Sequence, residues 1–195
     1  MNKIFLPLFL VVIFQFLSAC SIEPVVQNTL NAKKSYADFS GVSIKVGEMA
    51  PNFSLPGADE NKVSLSDFRD DKAVLLLFYR GDWCPYCIDQ LSDYQALLPE
   101  LDKYNIQLVA ISPDNLTSMN NTKRRIGQNY VFLSDEDLKT TIQYGIGNDK
   151  QLPHPSLFLI DKKGVLLWYY ASANHKVRPS AEQVEGIIKD LFKKQ

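Results

Sequence analysis

Ala73-Val74-Leu75-Leu76-Leu77-Phe78-Tyr79-Arg80-Gly81-Asp82-Trp83-Cys84-Pro85-Tyr86-Cys87 joins a continuous apolar run, a glycine break and two cysteines separated by two residues. An apolar run bounded by charges reads as a strand buried on both faces of a sheet. Gly81 ends it. After Pro85, Ile88, Leu91, Leu98 and Leu101 recur at helical spacing, and proline suits a first helical turn because its missing N–H has no partner to lose there. Pro99 should kink or divide this helix. The cysteines therefore lie where a strand hands over to a helix.

Working outward, residues 46–65 read as short extended pieces around Pro51 and Pro56, with a turn at Ser66-Asp67. Downstream, residues 106–111 form a second apolar strand, Ser112-Pro113-Asp114 a turn and residues 115–128 a polar helix. A short strand at 130–133 and a short helix at 135–144 closed by Gly145 follow. Strands at 157–160 and 165–170 are joined by the turn Asp161-Lys162-Lys163-Gly164. A final helix places Val184, Ile187, Ile188 and Leu191 on one face. This alternation predicts an α/β domain of three layers, a central mixed sheet flanked by helices.

A Cys-x-x-Cys pair at a helix start is suited to thiol–disulfide chemistry, because unpaired N–H groups and the helix dipole there favour a thiolate. Cys84 is expected exposed at the helix N-terminus and attacking. Cys87, one turn in, is expected more buried and resolving. Trp83, Arg80 and Tyr86 flank the pair, Arg80 as a local positive charge.

The segments Phe78-Tyr79-Arg80-Gly81-Asp82-Trp83-Cys84-Pro85-Tyr86-Cys87, Val109-Ala110-Ile111-Ser112-Pro113 and Phe158-Leu159-Ile160-Asp161 together resemble the peroxiredoxin-like (AhpC/TSA, redoxin) branch of the thioredoxin superfamily. The likeness covers roughly residues 46–191. It implies a thioredoxin-like fold, a redox-active disulfide Cys84–Cys87 and no other cofactor. It also implies a cis-proline at Pro155 in the loop Leu152-Pro153-His154-Pro155-Ser156 opposite the dithiol, with Trp83 shielding the site. Two positions depart from the peroxiredoxin pattern. Gly81 stands three residues before Cys84, where the family places threonine or serine ahead of its peroxide-attacking cysteine. Pro155 stands where the family has an arginine. Thioredoxin's buried acid would fall at Phe78, which leaves proton transfer to water or to an acid such as Asp82.

The chain opens with Lys3, a 14-residue apolar stretch over residues 4–17, and Leu17-Ser18-Ala19-Cys20. A bilayer span needs about 20 apolar residues, so this reads as a signal peptide. The four residues resemble the bacterial lipobox, which implies cleavage before Cys20 and its acylation. Ser21 in the next position implies outer-membrane sorting in a Gram-negative cell. The expected division is a signal peptide over 1–19, a lipidated Cys20 and flexible tether over 20–45, and a redox domain over 46–195. A flexible tether of roughly 25 residues would span about 25–30 Å. Localisation would be the cell envelope, facing the periplasm.

The formal net charge is −1, and Lys123-Arg124-Arg125 is a short basic patch, which reads as a solvated helix face with no nucleic-acid footprint. These residues favour a thiol–disulfide oxidoreductase, ahead of a thiol-dependent peroxidase. A copper chaperone using Cys84, Cys87 and His154 ranks third, and no resident metal is expected. Implied partners are protein or small-molecule disulfides and thiols, peroxide in the second reading, an envelope dithiol protein as electron donor, and the membrane through Cys20.

Overall fold

The computed structural model describes residues 30–127, 129–148 and 151–193, together with the backbone of Glu23–Pro24. The signal peptide, Cys20 and Ser21 lie outside the described residues. In chain order the strands and helices begin with β1 (Glu23–Pro24), β2 (Tyr36–Ala37), β3 (Ser54–Pro56), β4 (Lys62–Ser64) and β5 (Ala73–Phe78). Then follow α1 (Pro85–Asp93), α2 (Leu98–Lys103), β6 (Ile106–Ser112), α3 (Leu116–Ile126), β7 (Val131–Ser134) and α4 (Lys139–Gln143). The chain closes with β8 (Ser156–Ile160), β9 (Leu166–Ala171), β10 (Val177–Arg178) and α5 (Ala181–Phe192).

Six strands form one mixed sheet in the order β2-β9-β8-β5-β6-β7. β5 pairs parallel with β6 and antiparallel with β8, so it is interior on both edges. All six of its residues are buried. Its side chains alternate between two clusters: Ala73, Leu75 and Leu77 pack with Leu91, Leu101, Met119, Val184 and Ile188, while Val74, Leu76 and Phe78 pack with Phe53, Leu55, Leu65 and Tyr144. One face of the sheet is thus covered by α1, α2, α3 and α5, the other by the β3–β4 hairpin and the α4 region. Each such fully buried aliphatic or aromatic side chain stabilises by roughly 1.5–3 kcal/mol. The thioredoxin-like three-layer architecture expected from the sequence is the one found.

Pro99 acts as expected: α1 stops at Asp93, a 3-10 turn over Tyr94–Leu97 intervenes, and Pro99 lies in the first turn of α2. The fourth helix is shorter than its pattern suggested. Leu138, in the left-handed conformation at φ 59°, delays its start to Lys139.

The segment read as a flexible tether is a correction from Leu30 onward. Leu30 and Ala32 pack against the core, and Tyr36 stacks on Tyr170 at 5.4 Å. β2 adds to the sheet beside β9. Ser35 Oγ accepts the Tyr169 N–H at 3.0 Å, and Asp38 accepts from Ser172 Oγ at 2.7 Å and the Ala173 N–H at 2.6 Å. A two-residue strand held by isolated aromatics and side-chain acceptors has no period to read, which is why the sequence looked unstructured there. No helix among the described residues is long and apolar enough to cross a membrane.

Candidate active site

Gly81 determines how β5 becomes α1. Its φ of +144° lies where side chains are strained, and a Cβ there would sit 2.7 Å from both Asp114 Oδ1 and Trp83 Nε1. Threonine or serine is therefore excluded at this position by backbone and space alike. The chain then turns through a bond from the Cys84 N–H to the Gly81 carbonyl at 3.1 Å. Cys84 caps α1 in an extended conformation, Pro85 opens the helix, and the N–H groups of Cys87 and Ile88 bond the Cys84 carbonyl at 3.0 and 3.1 Å. Asp114 braces this loop. Its Oδ2 accepts the Asp82 N–H and the Ser112 hydroxyl, each at 3.0 Å, and burial pushes its carboxyl above the usual range. The Asp82 carbonyl also accepts from Arg125 Nη1 at 3.4 Å, so one member of the basic patch reaches the site.

Cys84 and Cys87 are joined as a disulfide, with Cα atoms 5.3 Å apart. Cys84 was expected exposed, and here the structure corrects the reading: it is 1% exposed and Cys87 0%, both inside the cluster formed by Tyr79, Ile88, Leu157 and Tyr170. Trp83 and Pro85 beside them are exposed, Trp83 at 57%. The Arg80 guanidinium lies 5.0 Å from the centre of the Trp83 ring, a cation–π contact.

The donors of the site converge on one sulfur. Arg178 Nη2 lies 3.3 Å from Cys87 Sγ and 3.9 Å from Cys84 Sγ, and the Arg80 N–H points at Cys87 Sγ from 3.5 Å. Arg178 is fully buried. Its Nε donates to the Tyr86 carbonyl at 3.1 Å, while its Nη1 is buried with no hydrogen-bond partner. No ion pair to a carboxylate holds it among the described residues. Burial pushes its pKa down to about 10, partly offset by Tyr170 and Tyr94. A buried guanidinium without a carboxylate is costly, by several kcal/mol for an uncompensated ion, unless an anion arrives. The anion this pocket can generate is a cysteine thiolate.

Arg178 was not singled out from sequence. It lies 91 residues beyond Cys87 in a stretch with His175 and Lys176 that reads as a polar turn. The one available signal is its place immediately before Pro179-Ser180, where Ser180 caps α5.

Pro155 is a second correction. No cis peptide bond occurs among the described residues. The trans loop is held by the His154 N–H on the Ile146 carbonyl at 2.7 Å, by Ser156 Oγ on the His154 carbonyl at 2.9 Å and by the Pro155 carbonyl, which accepts the Ser172 N–H at 3.1 Å. β8 is thereby fed directly into the interior of the sheet. His154 packs on Phe39 at 4.4 Å and, with Arg80, Asn148, Pro153, Pro155 and His175, lines a cavity of about 200 Å³ beside the dithiol. Tyr86 meets the His175 ring at 5.8 Å and Lys176 Nζ at 6.0 Å. Cys84, Cys87 and His154 are not assembled into a three-ligand group, and no cluster of three metal-ligating side chains occurs among the described residues. The copper reading loses its support.

Comparison with known proteins agrees with this geometry. A protein named putative peroxiredoxin bcp from Helicobacter pylori strain 26695 is 35% identical over 130 residues, which cover 63% of this chain and 85% of the relative. Peroxiredoxin Bcp of Escherichia coli K12 is 32% identical over 128 residues, covering 62% and 81%. Among solved structures, a reduced 2-Cys peroxiredoxin from Plasmodium vivax superposes with a TM-score of 0.69 at 23% identity, covering 76% of this chain and 97% of that one. Peroxidoxin BcpB from Mycobacterium tuberculosis superposes with a TM-score of 0.66 at 23% identity, covering 78% and 99%. The model of the AhpC/TSA family matches residues 46–169, from the first extended pieces through the dithiol and into β9, and the chain belongs to that family.

Proposed function

We propose that this protein is a thiol-dependent peroxidase of the cell envelope, lipid-anchored through Cys20, in which Cys87 attacks peroxide and Cys84 resolves. The observation that carries the reading is the buried Arg178 guanidinium, which no carboxylate among the described residues pairs and which is aimed at Cys87 Sγ. The relatives that bear the name peroxiredoxin support the same chemistry.

In the reduced enzyme the Cys87 thiolate is held by Arg178 and the Arg80 N–H. Its sulfur attacks one oxygen of the peroxide; an S–O bond forms, the O–O bond breaks, and the alkoxide or hydroxide leaves and takes a proton. Arg178 can also stabilise the charge that develops on the leaving oxygen. The Cys84 thiol then attacks the Cys87 sulfenic acid, forming the S–S bond and releasing water. Two thiols and one peroxide give one disulfide, one alcohol or water, and one further water. A dithiol donor of the envelope then reduces the disulfide by exchange.

The two departures from the peroxiredoxin pattern take on a new meaning with Cys87 as the attacking residue. Three residues before it stands Cys84, a thiol where the family has a hydroxyl. The arginine absent at Pro155 is supplied by Arg178 from β10. Cys84→Ser is expected to leave a Cys87 sulfenic acid that a sulfenic-acid trap captures after one equivalent of peroxide. Cys87→Ser is expected to be inert to peroxide. The reverse pattern would return the attacking role to Cys84, and no oxidation of either faster than a free thiol would remove the peroxidase reading.

Disulfide exchange with other proteins is the second reading, favoured by the Cys84–Cys87 bond across a single helical turn with an exposed Trp83 beside it. Reduction of insulin disulfides at thioredoxin-like rates, with negligible peroxide turnover, would promote it.

A further inference from the structure

We infer that Tyr94 and Tyr170 are positioning residues, whose hydroxyls clamp the two peptide carbonyls on either side of Arg178 and so fix its guanidinium on Cys87 Sγ. The inference rests on the reading in which Arg178 holds the Cys87 thiolate. Tyr170 Oη donates to the Val177 carbonyl at 2.9 Å, and Tyr94 Oη donates to the Pro179 carbonyl at 3.0 Å. Those carbonyls belong to the residues immediately before and after the arginine. Both tyrosines are fully buried, as is Arg178.

The two hydroxyls reach β10 from the two elements that must stay in register with it. Tyr170 stands in β9 within the central sheet, its ring stacked on Tyr36 at 5.4 Å. Tyr94 caps the end of α1, seven residues after Cys87, which places it two turns along the same helix face, about 10 Å from the cysteine. One helix therefore carries both the sulfur and one side of the clamp. Near the start of that helix the Tyr86 carbonyl accepts from Arg178 Nε at 3.1 Å. Gln90, buried between them on α1, donates from Nε2 to the Tyr94 hydroxyl at 3.2 Å, which leaves the phenol proton for Pro179. Burial raises both phenols well above the ordinary tyrosine range, so each stays a donor wherever a thiol titrates. Phenylalanine would supply the same rings to the core but no donor. It could not hold a strand of two residues in place, and charge stabilisation at a reacting atom depends on placement, a 1 Å error costing about 10²-fold.

The test places Tyr94→Phe and Tyr170→Phe, singly, in the full chain carrying Cys84→Ser, where Cys87 is the remaining sulfur of the dithiol. Thiolate formation is read from the pH dependence of alkylation by iodoacetamide, followed on the Cys87 peptide by mass spectrometry. The first oxidation step is read as the rate of sulfenic-acid formation at Cys87 with hydrogen peroxide. Each variant should raise the apparent pKa of Cys87 by about 0.5–1 and slow its oxidation at neutral pH by roughly 10-fold. In an Arg178→Met background the same substitutions should produce no further shift, because the hydroxyls act through the guanidinium.

An unchanged pKa in either folded variant would overturn the clamp, as would a shift that persists without Arg178. Where a phenylalanine variant does not fold, Gln90→Met takes its place, since it removes only the amide that orients the Tyr94 hydroxyl. A smaller rise of the same sign is expected there, and no rise would overturn the role of Tyr94. Failure of every protein to react with peroxide would defeat the peroxidase reading, and the alkylation profile would still decide the clamp.

Discussion

The loop from Gly81 to Cys87 and the two-residue strand Val177–Arg178 make opposite impressions. The first is dense in signals: a glycine break, an exposed indole, two cysteines and a proline at a helix start. The second is a valine and an arginine in a polar stretch. Yet Arg178 is the more unusual residue physically, because a fully buried cation with an unpartnered Nη1 needs a reason that its own neighbourhood does not supply. The dithiol supplies it. The difference teaches that a sulfur can be conspicuous in the sequence while the buried cation aimed at it is not.

The largest effect should come from splitting the two cysteines. Peroxide oxidation, followed by stopped-flow fluorescence, should fall in Cys87→Ser to the rate of the uncatalysed thiol. In Cys84→Ser the first oxidation step should survive while turnover is lost. Equal loss of the first step in both would erase the asymmetry of donors.

Arg178→Met comes next. Removing a preorganised charge from a reacting centre costs about 10²–10³-fold in rate, and the first oxidation step should slow by that order. At the same time the oxidised protein should become no less stable, or more stable by roughly 1–4 kcal/mol, because a poorly compensated buried ion is exchanged for an apolar side chain. Urea unfolding of the disulfide form measures this. A large destabilisation would make Arg178 a structural residue and break the comparison.

Gly81→Ala probes the other region. The added methyl would stand 2.7 Å from Asp114 Oδ1 and Trp83 Nε1 at a φ of +144°, a strain on the order of 1–3 kcal/mol. Thermal unfolding should show that loss, with a smaller drop in activity. An unchanged melting temperature would mean that the loop accommodates side chains, which would reopen the question of why threonine is absent.

The smallest effect is electrostatic. With its pKa pushed by burial down to about 10 from the ordinary guanidinium value, Arg178 binds fewer protons in the fold than in the unfolded chain between the two values. Stability attributable to this group therefore rises with pH through that window and is at its lowest below it. The burial-raised phenols of Tyr79, Tyr94, Tyr130, Tyr144 and Tyr170 act in the other direction above about pH 10, because the fold keeps protons that the unfolded chain releases. The difference between wild type and Arg178→Met cancels the tyrosines. Any stability advantage of the variant should narrow by about 1 kcal/mol between pH 8 and pH 11. A constant difference would show that Arg178 keeps its charge in the fold.

Much of the molecule was legible without coordinates, for reasons that differ by element. β5 could be read because a strand buried on both faces must be apolar at every position. α5 could be read because Val184, Ile187 and Ile188 repeat with the helical period, and the α1–α2 break because Pro99 cannot continue a helix. β2 could not be read, since two residues held by a tyrosine stack and an aspartate acceptor carry no period. The exposure of Cys84 was misjudged because a helix N-terminus is usually solvated, whereas this one begins beneath the cluster of Tyr79, Leu157 and Tyr170. The cis form of Pro155 rested on superfamily likeness, and the trans loop found here is held by the bonds around His154 and Ser156.

By itself the sequence determined where the sulfurs are, which strand delivers them and which helix receives them, because hydrophobic period, glycine and proline act locally along the chain. Only the tertiary structure decided which sulfur the donors favour, since Arg178 reaches Cys87 across 91 residues through the pairing order of the strands and the packing of α5. It also decided that residues 30–45 belong to the domain and that β1 lies beside the arginine strand. Contacts of that kind depend on which sheet edge is left to be covered, and no local pattern in the chain encodes it.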